Sequence, residues 1–193
     1  YYVLFFLVIG NRRVHLARVT ANPNGQWVAK QSRQFILTIE EREESFRCFI
    51  HDNDRKFTEA FDDVFQSKQI HVIHTPIEAP NANSFAERWV RSAREECLDN
   101  VLILNETHLR RVLQTYIEYY NNRRPHQSLK QQSPIPYPEP PKTGNVKRRQ
   151  LLGGIINDYY RSPGSNPLSP QLGCLIFQTS RVFMGQFQHA CML

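Results

Sequence analysis

Asp52, Glu87, Arg91 and Arg94 are the residues of this sequence whose types and spacing could do chemistry together. Asp52 closes an alternating apolar stretch, Phe46, Cys48 and Ile50, that predicts a strand of a parallel pair. Such strand ends are where an α/β sheet commonly presents functional groups to a crevice. Glu87 falls 35 positions later, near the start of a predicted helix. Two carboxylates brought together in this way could hold Mg²⁺, a hard cation that takes oxygen ligands and keeps waters for phosphate oxygens to replace. A third ligand is needed to complete such a site. Arg91 and Arg94 lie four and seven positions after Glu87 and share its helix face, while Phe85, Trp89 and Ala93 turn to another side. A metal bordered by guanidinium groups suits a phosphodiester backbone, the metal activating the attacking oxygen and the arginines positioning phosphates.

Each residue also has a plainer reading. A strand-end Asp is often a turn former or helix cap, and Asp54 competes with Asp52 for the same role. Glu87 with Arg91 and Arg94 is the spacing of a surface helix with i,i+4 pairs. His51, His71 and His74 stand near the same strand ends and could ligate a metal, or be satisfied structural histidines.

The elements that must position these groups can be traced along the chain. Tyr1 to Ile9 is an apolar run that reads as a buried strand and is too short to span a bilayer. Gly10-Asn11 and the partial alternation at Val14 and Leu16 complete a predicted β-hairpin. Behind the turn Asn22-Pro23-Asn24-Gly25, the spacing of Trp27, Val28, Gln31 and Phe35 predicts a helix to about Leu37. The charged stretch Glu40 to Glu44 reads as a solvated loop or helix end. Thr58 can cap a short helix with the apolar face Phe61, Val64 and Phe65, and Ile70, Val72 and Ile73 predict a fourth strand parallel to the one before Asp52. The Glu87 helix runs to about Leu98, and the next carries Leu109, Val112, Leu113, Tyr116, Ile117 and Tyr120. From Pro125 closely spaced prolines favour an extended linker, so the globular unit is expected to end near Leu129. Residues 130–161 read as a Pro-rich and basic tail, and 162–193 show no periodicity and are expected to be disordered or a non-native extension.

Composition sets the frame. With 193 residues, 40% of them hydrophobic, one core and its tails are expected. Lys and Arg number 24 against 18 Asp and Glu, and the pI of about 9.3 favours a polyanionic partner without identifying it. Cys48, Cys97, Cys174 and Cys191 form no C-x-x-C pair, so neither a disulfide framework nor a cysteine zinc site is suggested, and a reducing intracellular compartment is the simpler reading. No membrane association is expected.

Three segments resemble the retroviral-integrase-like catalytic core of bacterial insertion-sequence transposases. Ile50-His51-Asp52-Asn53-Asp54-Arg55-Lys56-Phe57-Thr58 is similar to the family's second-Asp segment, where an aromatic and then Thr or Ser follow the acid five residues on; that register selects Asp52 over Asp54. Pro80-Asn81-Ala82-Asn83-Ser84-Phe85-Ala86-Glu87-Arg88-Trp89 resembles the third-acid segment, with 34 residues between Asp52 and Glu87. Tyr120-Asn121-Asn122-Arg123-Arg124-Pro125-His126-Gln127-Ser128-Leu129 matches the closing Tyr-Asn and Arg-Pro-His motif, and Lys147 to Arg161 looks like the tail that follows this core in some relatives.

The resemblance implies an α/β, RNase H-like mixed sheet flanked by helices and an Asp-Asp-Glu site for Mg²⁺ or Mn²⁺, with Asp52 and Glu87 as catalytic and metal-ligating residues. It implies Arg88, Arg91, Arg94, Arg123 and Arg124 as DNA-binding residues, element ends and target DNA as partners, a homo-oligomer when intact, and a cytoplasmic, nucleoid-associated location. The intact parent would cleave DNA and join strands. The family's first Asp precedes the apolar hairpin, however, and no Asp precedes Asp52 in this chain. An N-terminally incomplete core lacking its first, central strand is therefore expected to expose apolar edges, to fold poorly and to be inactive. The alternative is a non-catalytic DNA-binding remnant or pseudogene product.

Overall fold

In the computed structural model, residues 1–75, 84–137 and 141–162 are described in full, and 187–192 as backbone. The elements are β1 (Tyr2–Val8), β2 (Val14–Thr20), α1 (Gly25–Glu41), β3 (Cys48–His51), α2 (Glu59–Gln66), β4 (His71–His74), α3 (Ser84–Glu96), α4 (Glu106–Asn122), β5 (Val146–Leu151), β6 (Ile156–Arg161) and β7 (Phe187–Met192). Five strands form a mixed sheet in the order β2-β1-β7-β3-β4. The expected mixed α/β architecture, hairpin first and parallel pair later, is met.

β1 shows why an unbroken apolar run can be a strand. Val3, Phe5 and Leu7 join a core with Trp89 of α3 and Leu113 and Tyr116 of α4, whereas Leu4 and Phe6 join another with Val28 and Phe35 of α1 and Phe61 and Phe65 of α2. Helices cover both faces, so alternation between apolar and polar residues is lost. The same reason corrects the reading of β3: Phe49 and His51 are its buried positions, while Cys48 and Ile50 are half-buried on the other face. Phe49 stacks on Phe65 at 4.0 Å, fastening α2 to the sheet.

α1 extends four residues beyond the expected Leu37, because Ile39 still packs in the core while Glu40 and Glu41 remain solvated. Asn24 caps it, its side chain accepting a bond from the Trp27 N–H.

The expectation of a bare central edge is corrected. β7 lies between the hairpin and the parallel pair, parallel to β1 and antiparallel to β3, with Ala190 opposite Phe6 on one side and His51 on the other. The sheet is thereby continuous, and its inner strands have backbone partners on both sides. Residues 163–186 and 193 lie outside the described residues. Packing continues past Leu129: His126 and Ser133 are buried, and β5 and β6 form an antiparallel hairpin whose Ile156 enters the same core as Trp89, with Leu151 and Leu152 packed against it. The basic tail is thus ordered onto the domain.

His15 of β2 gives this core a pH dependence. Arg42 lies 3.4 Å from its Nδ1 and, having only N–H donors, donates there, which leaves Nε2 carrying its proton in a buried place without a hydrogen-bond partner. Burial, helped by Arg13 and Arg42, pushes the imidazole pKa down to about 4. The unfolded chain therefore takes up this proton first, so the His15 contribution is complete above about pH 6.5 and is lost as pH falls towards about 4. In urea titrations His15→Leu should shrink the loss of midpoint between pH 7 and pH 5; an unchanged loss would assign acid sensitivity elsewhere.

Candidate nucleic-acid interface

α3 is placed by its buried stripe. Ala86, Trp89 and Ala93 face the core, and Trp89 meets Phe5 with ring centroids 4.1 Å apart. With that stripe fixed, Glu87, Arg88, Arg91 and Arg94 are left exposed, as the helical spacing predicts. Among the described residues, Glu87, Arg88 and Arg91 take part in no ion pair, whereas Arg94 lies 3.4 Å from Asp99. The expected i,i+4 bridge between Glu87 and Arg91 is thus not formed.

A further cation joins this surface. Arg12, in the β1–β2 turn at φ 65°, bonds to the Ile9 carbonyl oxygen and lays its guanidinium over the Phe85 ring at 4.0 Å from its centroid. Burial lowers the Arg12 pKa, the Tyr120 phenol opposes that shift, and neighbouring Arg88 adds to it. Arg12 and Arg88 thus add like charge to one another near the first turn of α3, a repulsion that an anion would relieve. Arg12 was not expected at this site; its hairpin-turn position carries no periodic signal, and only the seating of Phe85 brings the two together.

Other expected cations have different surroundings. Arg124 is held by Glu96 of α3, its Nε 2.8 Å and 3.1 Å from the two carboxylate oxygens. The hydrogen bond to Glu96 raises its pKa above the ordinary arginine value. Arg124 is thus engaged in packing, with a quarter of its side chain exposed. Arg123 lies over Tyr137 at 5.2 Å. Asn121 of the same motif is buried, accepting from the Val14 N–H at 2.9 Å and donating to the Val14 carbonyl oxygen at 2.8 Å. The Tyr120 to Leu129 segment therefore clasps α4 to β2 and α3, a structural role that the sequence resemblance does not distinguish from a functional one.

Asp52 follows directly on β3, half-buried, and its Oδ1 accepts the Asp54 N–H at 3.1 Å. Asp54 instead binds Lys56, through its backbone N–H at 2.9 Å and its ammonium at 3.2 Å. Residues 76–83, which precede the helix of Glu87, lie outside the described residues. Asp52 and Glu87 offer the hard oxygen donors that Mg²⁺ or Mn²⁺ takes. The chain has no carboxylate before Glu40 and none after Asp158, so neither the hairpin nor the central β7 brings a third to them.

Among the described residues, the three side chains gathered closely enough to ligate one ion are His51, Asp62 and His74. Asp62, in the buried stripe of α2, was overlooked as a polar member of an apolar helix face. The signal was present: β3 and β4 both end in histidine, and parallel pairing sets His51 beside His74. His71 is their counterpart at the opposite end of β4, exposed and paired in register with Cys48.

Residues 68–134, about a third of the chain, match a protein family described as integrase core domain. No curated protein matches the chain. Among the described residues, no helix is long and apolar enough to cross a membrane.

Proposed function

We propose that the chain, whose residues 68–134 match an integrase core family, is an integrase- or transposase-type DNA-binding protein that, in these 193 residues, does not cleave or join strands. The observation that carries DNA binding is the positive surface at the start of α3, where exposed Arg88 and Arg91 have no ion-pair partner among the described residues and Arg12 lies over Phe85. Guanidinium groups suit phosphate oxygens through paired N–H donors, and Phe85 fixes the Arg12 plane so that little side-chain freedom is lost on binding. Glu87 lies on the same exposed face of α3 and would repel phosphate in the absence of a cation, so DNA binding should strengthen when Mg²⁺ is present.

The silent reading is supported by the sequence ahead of Asp52, which holds no Asp where the resemblance places the family's first acid. Asp52 and Glu87 are the residues of this chain that would hold a divalent ion at the phosphate, and in these 193 residues no Asp stands ahead of Asp52 to join them. Duplex DNA is expected to bind in fluorescence anisotropy while cleavage and joining assays with Mg²⁺ or Mn²⁺ yield no product. Joining that disappears in Asp52→Asn or Glu87→Gln would overturn the silent reading.

A further inference from the structure

We propose that His51, Asp62 and His74 form a binding site for one divalent cation of the zinc class, separate from the Asp52 and Glu87 carboxylates. Three elements meet there. His51 ends β3, His74 ends the neighbouring β4 in register with it, and Asp62 comes from α2, which packs across them. The His51 and Asp62 side chains are only 1% and 11% exposed, while His74 is 50% exposed, so the group has a closed interior and one solvent-facing side.

Hydrogen-bond chemistry points to a cation. His51 Nδ1 is 2.6 Å from the Asp52 carbonyl oxygen, which can only accept, so the ring proton resides on Nδ1. That leaves His51 Nε2 facing Asp62 Oδ1 at 2.9 Å, while His74 Nε2 faces Oδ2 of the same carboxylate at 2.8 Å. At His51 a ring nitrogen lone pair thus opposes a carboxylate oxygen and needs a positive centre between them, an added proton or a metal ion, whereas His74 Nε2 either donates its own proton to Oδ2 or gives its lone pair to that same centre. A histidine that donates its second nitrogen to a backbone carbonyl is the usual arrangement behind a metal ligand.

The dimensions suit the metal. Zinc bonds of about 2.0–2.2 Å in a tetrahedron place ligand atoms roughly 3.3 Å apart. The two nitrogen–oxygen contacts would open by about half an ångström to reach that spacing, and all the ligand atoms already lie within 4.8 Å of one another. Two imidazoles and one carboxylate select a borderline ion such as Zn²⁺ or Co²⁺ over Mg²⁺. Phe57 and Phe61 flank His51, with ring centroids at 4.9 Å and 5.4 Å, and restrict water on the inner side. The exposed side of His74 leaves a fourth position for water or a solute oxygen. A bound ion would tie β3, β4 and α2 together directly behind Asp52, and because it binds the folded chain it would raise thermal stability.

The test is Co²⁺ titration of the full chain, followed by visible absorption. One equivalent should give the d–d bands of four-coordinate Co²⁺ without a thiolate charge-transfer band, unaffected by Cys48→Ser or a large excess of Mg²⁺. His74→Ala should weaken Co²⁺ at least tenfold and abolish the rise in Tm that Zn²⁺ gives the unchanged protein. Because His74 is half exposed, this variant keeps its fold even if Asp62→Asn does not, which far-ultraviolet circular dichroism checks. No Co²⁺ spectrum, or one that His74→Ala leaves intact, overturns the site.

Discussion

Trp89→Ala is expected to lower stability by about 3–5 kcal/mol, the range for removing a large buried aromatic from a packed core. Trp89 is 1% exposed and meets Phe5 across the joint between α3 and β1. The loss includes the transfer of the indole and the cavity left between two elements that are otherwise well filled. Its functional consequence follows from helix geometry: Trp89 is the anchor that turns Arg88 and Arg91 outward, so a loosened α3 should also weaken DNA binding. Urea titration should show a lower midpoint at unchanged slope, and Trp89→Phe should retain most of the stability. A midpoint shift near zero would mean that α3 is not packed on β1 as described.

That anchor was legible in the sequence, since Phe85, Trp89 and Ala93 recur at helical spacing, and so was the burial of β1 from its uninterrupted apolar run. What escaped was set by contacts between distant segments. Phe187 to Met192 has no helical period or turn chemistry around it, and it becomes a strand only because β1 and β3 both present it with backbone groups. Ile156 reads as an isolated apolar residue in a basic tail until the hairpin folds it onto the core. At the site, Glu87, Arg88 and Arg91 were readable because one helix fixes their relation. Arg12 and Asp62 were not, because each reaches its partners through an element crossing that periodicity does not encode. The closing Tyr-Asn and Arg-Pro-His motif shows the converse limit: a recognisable pattern identified the segment, while its Asn121 and Arg124 are engaged in holding helices and strands together.

The second large effect is expected at Glu96. Its carboxylate takes the Arg124 guanidinium and also accepts the Tyr116 hydroxyl at 3.0 Å, and Tyr116 is fully buried. Burial, with Glu96 adding to it, raises the Tyr116 pKa, so the hydroxyl stays a donor throughout the neutral range. Glu96→Ala leaves a partly buried cation and a buried hydroxyl without their acceptor. The expected loss is about 3 kcal/mol, the lower end for breaking a buried pair, because the Arg124 and Glu96 side chains keep 25% and 34% exposure. Replacing both partners together, Glu96→Met with Arg124→Met, should recover much of that loss by removing the orphaned charge. Chemical denaturation of Glu96→Met, Arg124→Met and the double variant measures this directly. Additive losses would contradict the coupling.

The proposed division of labour is then a rigid clasp of Glu96, Arg124 and Asn121 behind α3, and a cationic surface of Arg12, Arg88 and Arg91 in front of it. The most direct test is the salt dependence of duplex DNA binding, measured by anisotropy for the unchanged chain and for Arg88→Gln with Arg91→Gln. If both arginines contact phosphates, the slope of log affinity against log salt should become shallower by about 2, roughly one for each lost contact, with stability unchanged. An unchanged slope in a folded double variant would contradict the account and place the DNA, or another partner, on a different face of the molecule.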